Sequence, residues 1–360
     1  MAQDDPDIQR MRARFVCLRI TQMNRVDIRR FEFDFDTTWS SFFLDEKLNV
    51  YSRYGGRDET APEARLNKES LLQTMREVLD VHARRSEGSR QNGEPVVQPV
   101  PPETSTPEDI PLLAKNHRGC VHCHQIREYR YLQWGRDNKF DRRKLFTWPL
   151  PENVGLKFER GHGHRLESVI KDSPAEQAGL RSGDVVTRID DVPTRSESDV
   201  RWALGHAEDG KPIRVSVERP QANGKSKNIR LVLRPEGDWK QTQIGWRKSM
   251  RSVPLSWGFR AYPLLRTQLK ELELPPDQLA IRVISVRPFG LSGALGLHKR
   301  DLIISLDGAS RWRDFDEFKS DMLRRYRPGD KVRLTVLRGS EKKEFQGKFP
   351  DWHTDATSVP

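Results

Sequence analysis

Residues 14–21 (RFVCLRIT) alternate like a strand with one exposed face, and 39–44 and 48–54 read as two further strands around the turn Asp45-Glu46-Lys47. The hairpin ends at Gly55-Gly56. Asn67 is a helix N-cap, and Leu71, Leu72, Met75, Val78, Leu79 and His82 follow it at helical spacing. From 86 to 110 the pattern stops: Gly, Ser, Gln, Glu and Pro replace apolar residues, apart from Val96, Val97, Val100 and Ile110. Such a stretch buries too little surface to offset its ordering entropy and reads as an extended tether.

After residue 150 the pattern repeats. Gly179, Leu180, Asp184 and Asp190 align with Gly296, Leu297, Asp301 and Asp307 at a constant offset of 117. Each copy continues as strand, turn, helix (198–206; 314–326) and strand (213–218; 331–337). The first copy reads Ser173-Pro174-Ala175-Glu176-Gln177-Ala178-Gly179-Leu180-Arg181-Ser182-Gly183-Asp184. This motif is strongly similar to the tandem PDZ domains of bacterial HtrA-type and carboxyl-terminal-processing proteases, and the resemblance covers about half of the chain.

What that resemblance implies is capture of a peptide C-terminus by the backbone N–H groups of a Gly-rich loop, the peptide adding to a sheet edge. In the first copy the loop falls on Gly155, Leu156, Lys157 and Phe158, with Leu156 and Phe158 lining the pocket and Val200 and Leu204 on the opposite wall. In the second copy Trp257-Gly258-Phe259 is the counterpart. Segment 35–58 with the helix after it resembles the second half of a thioredoxin-like domain. The first strand and the helix with Cys-x-x-Cys have no counterpart here, and Thr38 stands where that family places a cis-proline. Cys17 reads as a buried strand filler or as a redox thiol.

Composition sharpens this picture. Lys and Arg exceed Asp and Glu by 11, while apolar residues make up 35% and charged ones 32%. The cores are therefore small and much of the chain is solvated. No stretch is apolar for long enough to span a membrane. The start, Met-Ala-Gln-Asp-Asp-Pro, lacks the basic and apolar regions of a signal peptide. A cytoplasmic location follows if Met1 is the true start, and a periplasmic or cell-envelope one if the start lies upstream.

More than half of the basic excess lies in 111–149, which also holds Cys120 and Cys123. There Cys120-Val121-His122-Cys123-His124 resembles the C-x-x-C-H haem attachment motif of c-type cytochromes. The resemblance implies thioether bonds from Cys120 and Cys123 and an axial iron ligand from His124, with His117, His162 or His164 open as sixth ligand. Zinc is the alternative, held by Cys120, Cys123 and two histidines. The basic residues interleaved with Tyr129, Tyr131, Trp134 and Phe140 read as a solvated helix, and no nucleic-acid partner is expected.

The fold class expected is multi-domain α+β. It comprises a truncated thioredoxin-like module (1–85), a Pro-rich linker (86–110), a basic C-x-x-C-H segment (111–149), PDZ-like β-sandwich/barrel domains at 150–236 and 253–350, and a tail (351–360). The two C-terminal domains are expected to fold without the rest. No protease triad is present: Ser292, in Gly290-Leu291-Ser292-Gly293, aligns with Ala175 at the start of a repeat helix. Module order resembles a bacterial family of thioredoxin-like/PDZ proteins, some of them selenoproteins. The function expected is a non-catalytic scaffold for protein C-termini or extended peptides, with or without covalent haem c. A haem-bearing redox or sensor protein, a thiol oxidoreductase of the cell envelope, and a protease accessory protein are the alternatives.

Overall fold

In a computed structural model, residues 5–86, 97–99, 103–116, 118–137, 139–252, 258–278, 280–286, 291–312, 315–326 and 329–349 are described. The chain divides into two compact units, 1–109 with 119–123 and 146–242, and 110–118 with 124–145 and 243–360. His117, Trp257, Gly290 and the tail lie outside the described residues.

The first unit opens with α1 (Pro6–Arg12), whose first amides are capped by the Asp5 carboxylate. The expected hairpin is β1 (Ser40–Leu44) and β2 (Val50–Gly55), antiparallel, with its turn held by Asp45 Oδ1, which accepts from the Lys47 and Asn49 amides. Asn67 caps α2 (Lys68–Ser86) by accepting from the Glu69 and Ser70 amides. Phe43, Tyr51, Tyr54, Leu71, Leu72, Met75, Val78 and Val81 then close one core.

Two expectations change here. Residues 14–21 form no strand, and Val16, Leu18 and Ile20 are 93%, 90% and 62% exposed. A strand needs a neighbour for its backbone groups, and among the described residues 14–21 pair with no strand. Cys17 is therefore exposed rather than a buried filler. The Pro-rich segment is no free tether where it is described: the Gln98 amide donates to the Val50 carbonyl at 2.7 Å, Val97 packs on the core, and the Ser105 carbonyl accepts from the Ile28 amide.

Next come α3 (Pro111–Asn116) and α4 (Cys123–Arg136). Ile126 and Tyr131 of α4 are buried, and Tyr131 packs near Trp134 and Phe140, so Tyr131 is core rather than an exposed stacking surface.

The first repeat comprises β3 (Leu156–Phe158), β4 (Leu166–Val169), α5 (Pro174–Gln177), β5 (Val185–Ile189), β6 (Val192–Pro193), α6 (Glu197–His206), β7 (Ile213–Pro220) and β8 (Ser226–Leu233). Its sheets are β3-β4 and β6-β5-β7-β8. The second comprises β9 (Phe259–Pro263), α7 (Arg266–Glu271), β10 (Ile281–Val286), α8 (Leu291–Ala294), β11 (Leu302–Leu306), α9 (Phe315–Arg325), β12 (Lys331–Arg338) and β13 (Glu341–Lys348), in one sheet ordered β13-β12-β11-β10-β9.

The aligned residues do the same work twice. Gly179 and Gly296 take φ of 84° and 70°, the left-handed region open to glycine. Asp184 accepts Arg219 Nε and Nη2 at 2.6 and 2.7 Å, and Arg219 Nη2 also reaches the Gly179 carbonyl at 2.9 Å. Asp301 accepts Arg338 Nε and Nη2 at 2.8 Å, and Arg338 Nη2 reaches the Gly296 carbonyl at 2.8 Å. Each pair ties the turn after the helix to the adjacent strand, β7 or β12, which pairs with the strand that follows the motif.

In the first unit the N-terminal module meets α6 through the wholly buried Asp199. Its carboxylate accepts from Ser52 Oγ at 2.6 Å, the Arg53 amide at 2.7 Å, the Arg195 amide at 3.0 Å, and Gln98 Nε2. Asp199→Ala would leave several buried donors without an acceptor, each costing about 1–3 kcal/mol. The variant is expected to lose at least about 3 kcal/mol, read by urea unfolding followed at the tryptophans; a loss under 1 kcal/mol would show that the node does not hold the module.

Candidate functional site

A 3-10 turn at Pro151–Val154 ends on Gly155, whose φ of 93° is left-handed. A Cβ there would stand 1.9 Å from Ser173 Oγ, so both conformation and space demand glycine. The chain then enters β3, whose one partner among the described residues is β4. Of the residues flagged by sequence, Leu156, Val200 and Leu204 are fully buried in the domain core. Phe158 is half-buried against that core, and Lys157 is exposed, 3.0 Å from Glu167.

The three faces of α6 follow from its 3.6-residue period. Val200, Ala203, Leu204 and Ala207 enter the domain core. Asp199, Trp202 and His206 face the N-terminal module, where the Arg53 guanidinium stacks 4.2 Å from the Trp202 ring and Trp202 Nε1 donates to Glu32. Burial pushes Arg53 down to about 10, against the pull of Asp199 and Glu32. On the third face Arg201 donates to the carbonyls of Trp148 and Arg57, and a Cβ on Gly205 would strike the Thr147 carbonyl. Arg65 closes this side, pairing with Asp58 at 2.7 Å, Glu152 at 2.8 Å and Glu197 at 3.1 Å. Nothing in the local sequence marks Arg65 or Arg201, because their partners come from other segments.

In the C-x-x-C-H segment Cys120 is exposed and Cys123 half-buried, neither in a disulfide. Burial raises the Cys123 thiol above its ordinary range. His124 follows on the first turn of α4 with Nδ1 3.1 Å from the Glu128 carboxylate. A carboxylate on Nδ1 is the outer-shell tie that orients a ligating imidazole, so this histidine suits an axial ligand. Among the described residues the ligating atoms of Cys120, Cys123, His122 and His124 do not gather as a set of three, as a zinc site of these residues would require.

The histidine pair 162/164 sits on the β3–β4 loop beside Glu77 of α2. His164 is buried, with Nδ1 2.9 Å from the Val186 carbonyl and Nε2 2.9 Å from Glu77 Oε1. Burial opposes its charge, but Glu77 outweighs burial and raises it above the usual histidine value. His162, 4.9 Å away ring to ring, is pushed down to about 4 by burial and by His164. Sequence marked both histidines; Glu77, a polar position on a helix, carried no signal.

In the second repeat Gly258 has φ 71° and leads into β9 at the sheet edge, as Gly155 leads into β3. Ser292 is wholly buried at the start of α8.

Residues 153–233 and 263–348 match the PDZ domain family. A probable periplasmic serine endoprotease, DegP-like, of Halomonas elongata is 27% identical over 161 residues, 44% of this chain and 31% of the relative. The magnetosome formation protease MamE of Magnetospirillum gryphiswaldense is 32% identical over 91 residues, 25% and 11% of the two chains. The chain thus spans a third or less of these curated relatives. Among solved structures, the HtrA3 PDZ domain bound to a phage-derived ligand (FGRWV) is 22% identical, covering 26% of this chain and 82% of that one, with a TM-score of 0.21. By the family match and the DegP-like relatives, the C-terminal part carries tandem PDZ domains similar to those of HtrA-type proteases.

The α6 contact gives a pH dependence. His206 Nε2 lies 3.1 Å from Glu32. Burial disfavours both charges, yet each partner outweighs it, so His206 is raised and Glu32 lowered. His206 contributes stability that is complete below its unfolded value of about 6.5 and is lost as pH rises through its higher folded value. Glu32 contributes above its unfolded value near 4.3 and loses this as pH falls. Because His206 is half-exposed, the effect is held to about 0.5–1 kcal/mol. Relative to His206→Gln, the wild type should be most stabilised near pH 5–6.5 and lose that advantage by pH 8, read from urea midpoints; a flat difference would exclude the pair as a contributor.

Proposed function

We propose that this chain is a non-catalytic scaffold whose first PDZ domain takes a peptide C-terminus along β3. One observation carries the reading: a left-handed Gly155 immediately before a strand whose outer edge pairs with no strand among the described residues. A turn of that hand aims successive amides at an incoming carboxylate, and the free edge accepts an extended chain. With Leu156, Val200 and Leu204 fully buried, affinity rests on backbone bonds and the carboxylate more than on an apolar pocket. The match to DegP-like proteins falls on their PDZ part, which supports an accessory role beside a protease acting in trans. An envelope location belongs to the same proposal, on the likeness to relatives named periplasmic.

The enclosure of α6 favours a second reading, in which the first PDZ domain is a spacer locked by the N-terminal module. Arg65, with its three carboxylate partners, is the latch that separates the two. On the full chain, free C-terminal peptides are expected to bind at about micromolar Kd, and their amidated forms at least about tenfold more weakly, as charge-assisted hydrogen bonds of about 1.5–3 kcal/mol are lost. Equal binding of both forms removes the carboxylate site. Absence of binding to both the wild type and Arg65→Ala establishes the spacer.

Covalent haem on Cys120 and Cys123, with His124 as axial ligand, is a further proposal, supported by the Glu128 carboxylate on His124 Nδ1. Haem would supply redox or gas-sensing chemistry, and this chain's residues would hold it. Exported in a host with cytochrome c maturation, the chain should stay coloured on a denaturing gel, and Cys123→Ala should lose most of that colour. A colourless wild type rejects haem. Thiol chemistry at Cys17, which is exposed, is a last proposal, and loss of insulin reduction in Cys17→Ser would attach that activity to it.

A further inference from the structure

The β3–β4 loop carries two histidines for which peptide capture has no use. They flank Gly163, whose left-handed φ of 78° lets the chain turn between them. This loop rests on the first turns of α2: a Cβ on Gly161 would lie 3.7 Å from the Glu69 Cβ, and one on Gly163 3.5 Å from the Ser70 Cβ. Two turns further along α2, Glu77 Oε1 lies 2.9 Å from His164 Nε2. One potential ligand atom from each of Glu77, His162 and His164 lies within 4.8 Å of the others, the one such group among the described residues.

The hydrogen bonds suit a metal better than a bare pair. His164 Nδ1 is tied to the Val186 carbonyl at 2.9 Å, which orients Nε2 toward Glu77. A ligating histidine is held in this way by its other ring nitrogen. Gln73 Nε2 donates to Glu77 Oε1 at 2.8 Å and steadies the carboxylate. His162 Nδ1 is buried and has no hydrogen-bond partner, a costly state for a ring nitrogen that coordination would relieve. Two imidazole nitrogens and one carboxylate oxygen are a three-ligand zinc set with a fourth position for water.

We propose that Glu77, His162 and His164 bind a zinc-like divalent metal ion. Tetrahedral zinc with bonds of about 2.0–2.2 Å places neighbouring ligands roughly 3.3 Å apart. Small side-chain movements reach that geometry: the Glu77–His164 contact of 2.9 Å opens slightly, and all three ligand atoms already lie within 4.8 Å of one another. The ion pins α2 to the loop between β3 and β4, joining the N-terminal module to the first PDZ domain. The site stands whether or not β3 takes a peptide.

The test uses the full chain with Cys120→Ser and Cys123→Ser, so that no thiol at that motif competes, stripped of metal and titrated with Zn2+ and Co2+. One equivalent of zinc should bind and raise the melting temperature. Cobalt should give visible d–d bands without a thiolate charge-transfer band. His162→Gln, which leaves the His164–Glu77 pair in place, should weaken zinc at least about 100-fold and remove the cobalt bands, with an unchanged metal-free circular dichroism spectrum. Glu77→Gln should do the same if His162→Gln misfolds. Failure of the double-serine chain to bind zinc, or binding unaffected by both variants, overturns the site.

Discussion

A carboxylate with no solvent exposure lies where the N-terminal hairpin meets α6, and the architecture of the first unit depends on how its charge is satisfied. An uncompensated buried carboxylate would cost several kcal/mol. Asp199 is compensated by donors from β2, from the segment around Gln98, and from the turn before its own helix. Around it Arg195 donates to the Tyr51 carbonyl, Ser196 to the Arg53 carbonyl, and Thr74 to the Arg195 carbonyl. The Tyr51 and Arg53 carbonyls are backbone groups at specific heights on β2, so the contact fixes register as well as proximity. A helix with one apolar stripe ordinarily keeps a solvent face; α6 gives that face to the module.

The repeat shows the opposite economy, in which each copy is stabilised from within. Asp184 and Asp301 are buried beside a left-handed glycine, and one arginine per copy spans the carboxylate and that glycine's carbonyl. Asp190 and Asp307, both at φ 46°, accept from the amides of Arg214 and Arg333 and close equivalent turns. The acidic residues of the motif thus serve turn geometry. Arg219 and Arg338 stand 119 apart against the 117 of the motif, a shift small enough that the repeat alignment would have located both.

The candidate sites differ in how far local chemistry determines them. Gly155 is required by its own φ and by Ser173. The C-x-x-C-H segment puts its histidine on a first helical turn, where Glu128 four residues on can reach it. Glu77 with His162 and His164 is a different case. The histidines lie two apart, but their carboxylate comes from a helix 85 residues upstream of His162, and only the packing of that loop on α2 unites them.

Sequence by itself determined the hairpin, the Asn67 cap and its helix, the two PDZ copies, and the glycines of their turns. Each rests on spacing within a few residues or on a repeat, and local periodicity and backbone sterics express both directly. Residues 14–21 misled because alternation marks a segment able to be a strand, whereas a strand forms only where it pairs, and among the described residues 14–21 pair with none. The enclosure of α6, the docking of Gln98 and the Glu77–His162–His164 cluster were decided only by tertiary structure. They depend on burying polar groups whose partners lie tens to more than a hundred residues away, and such pairing leaves no periodic trace in the chain.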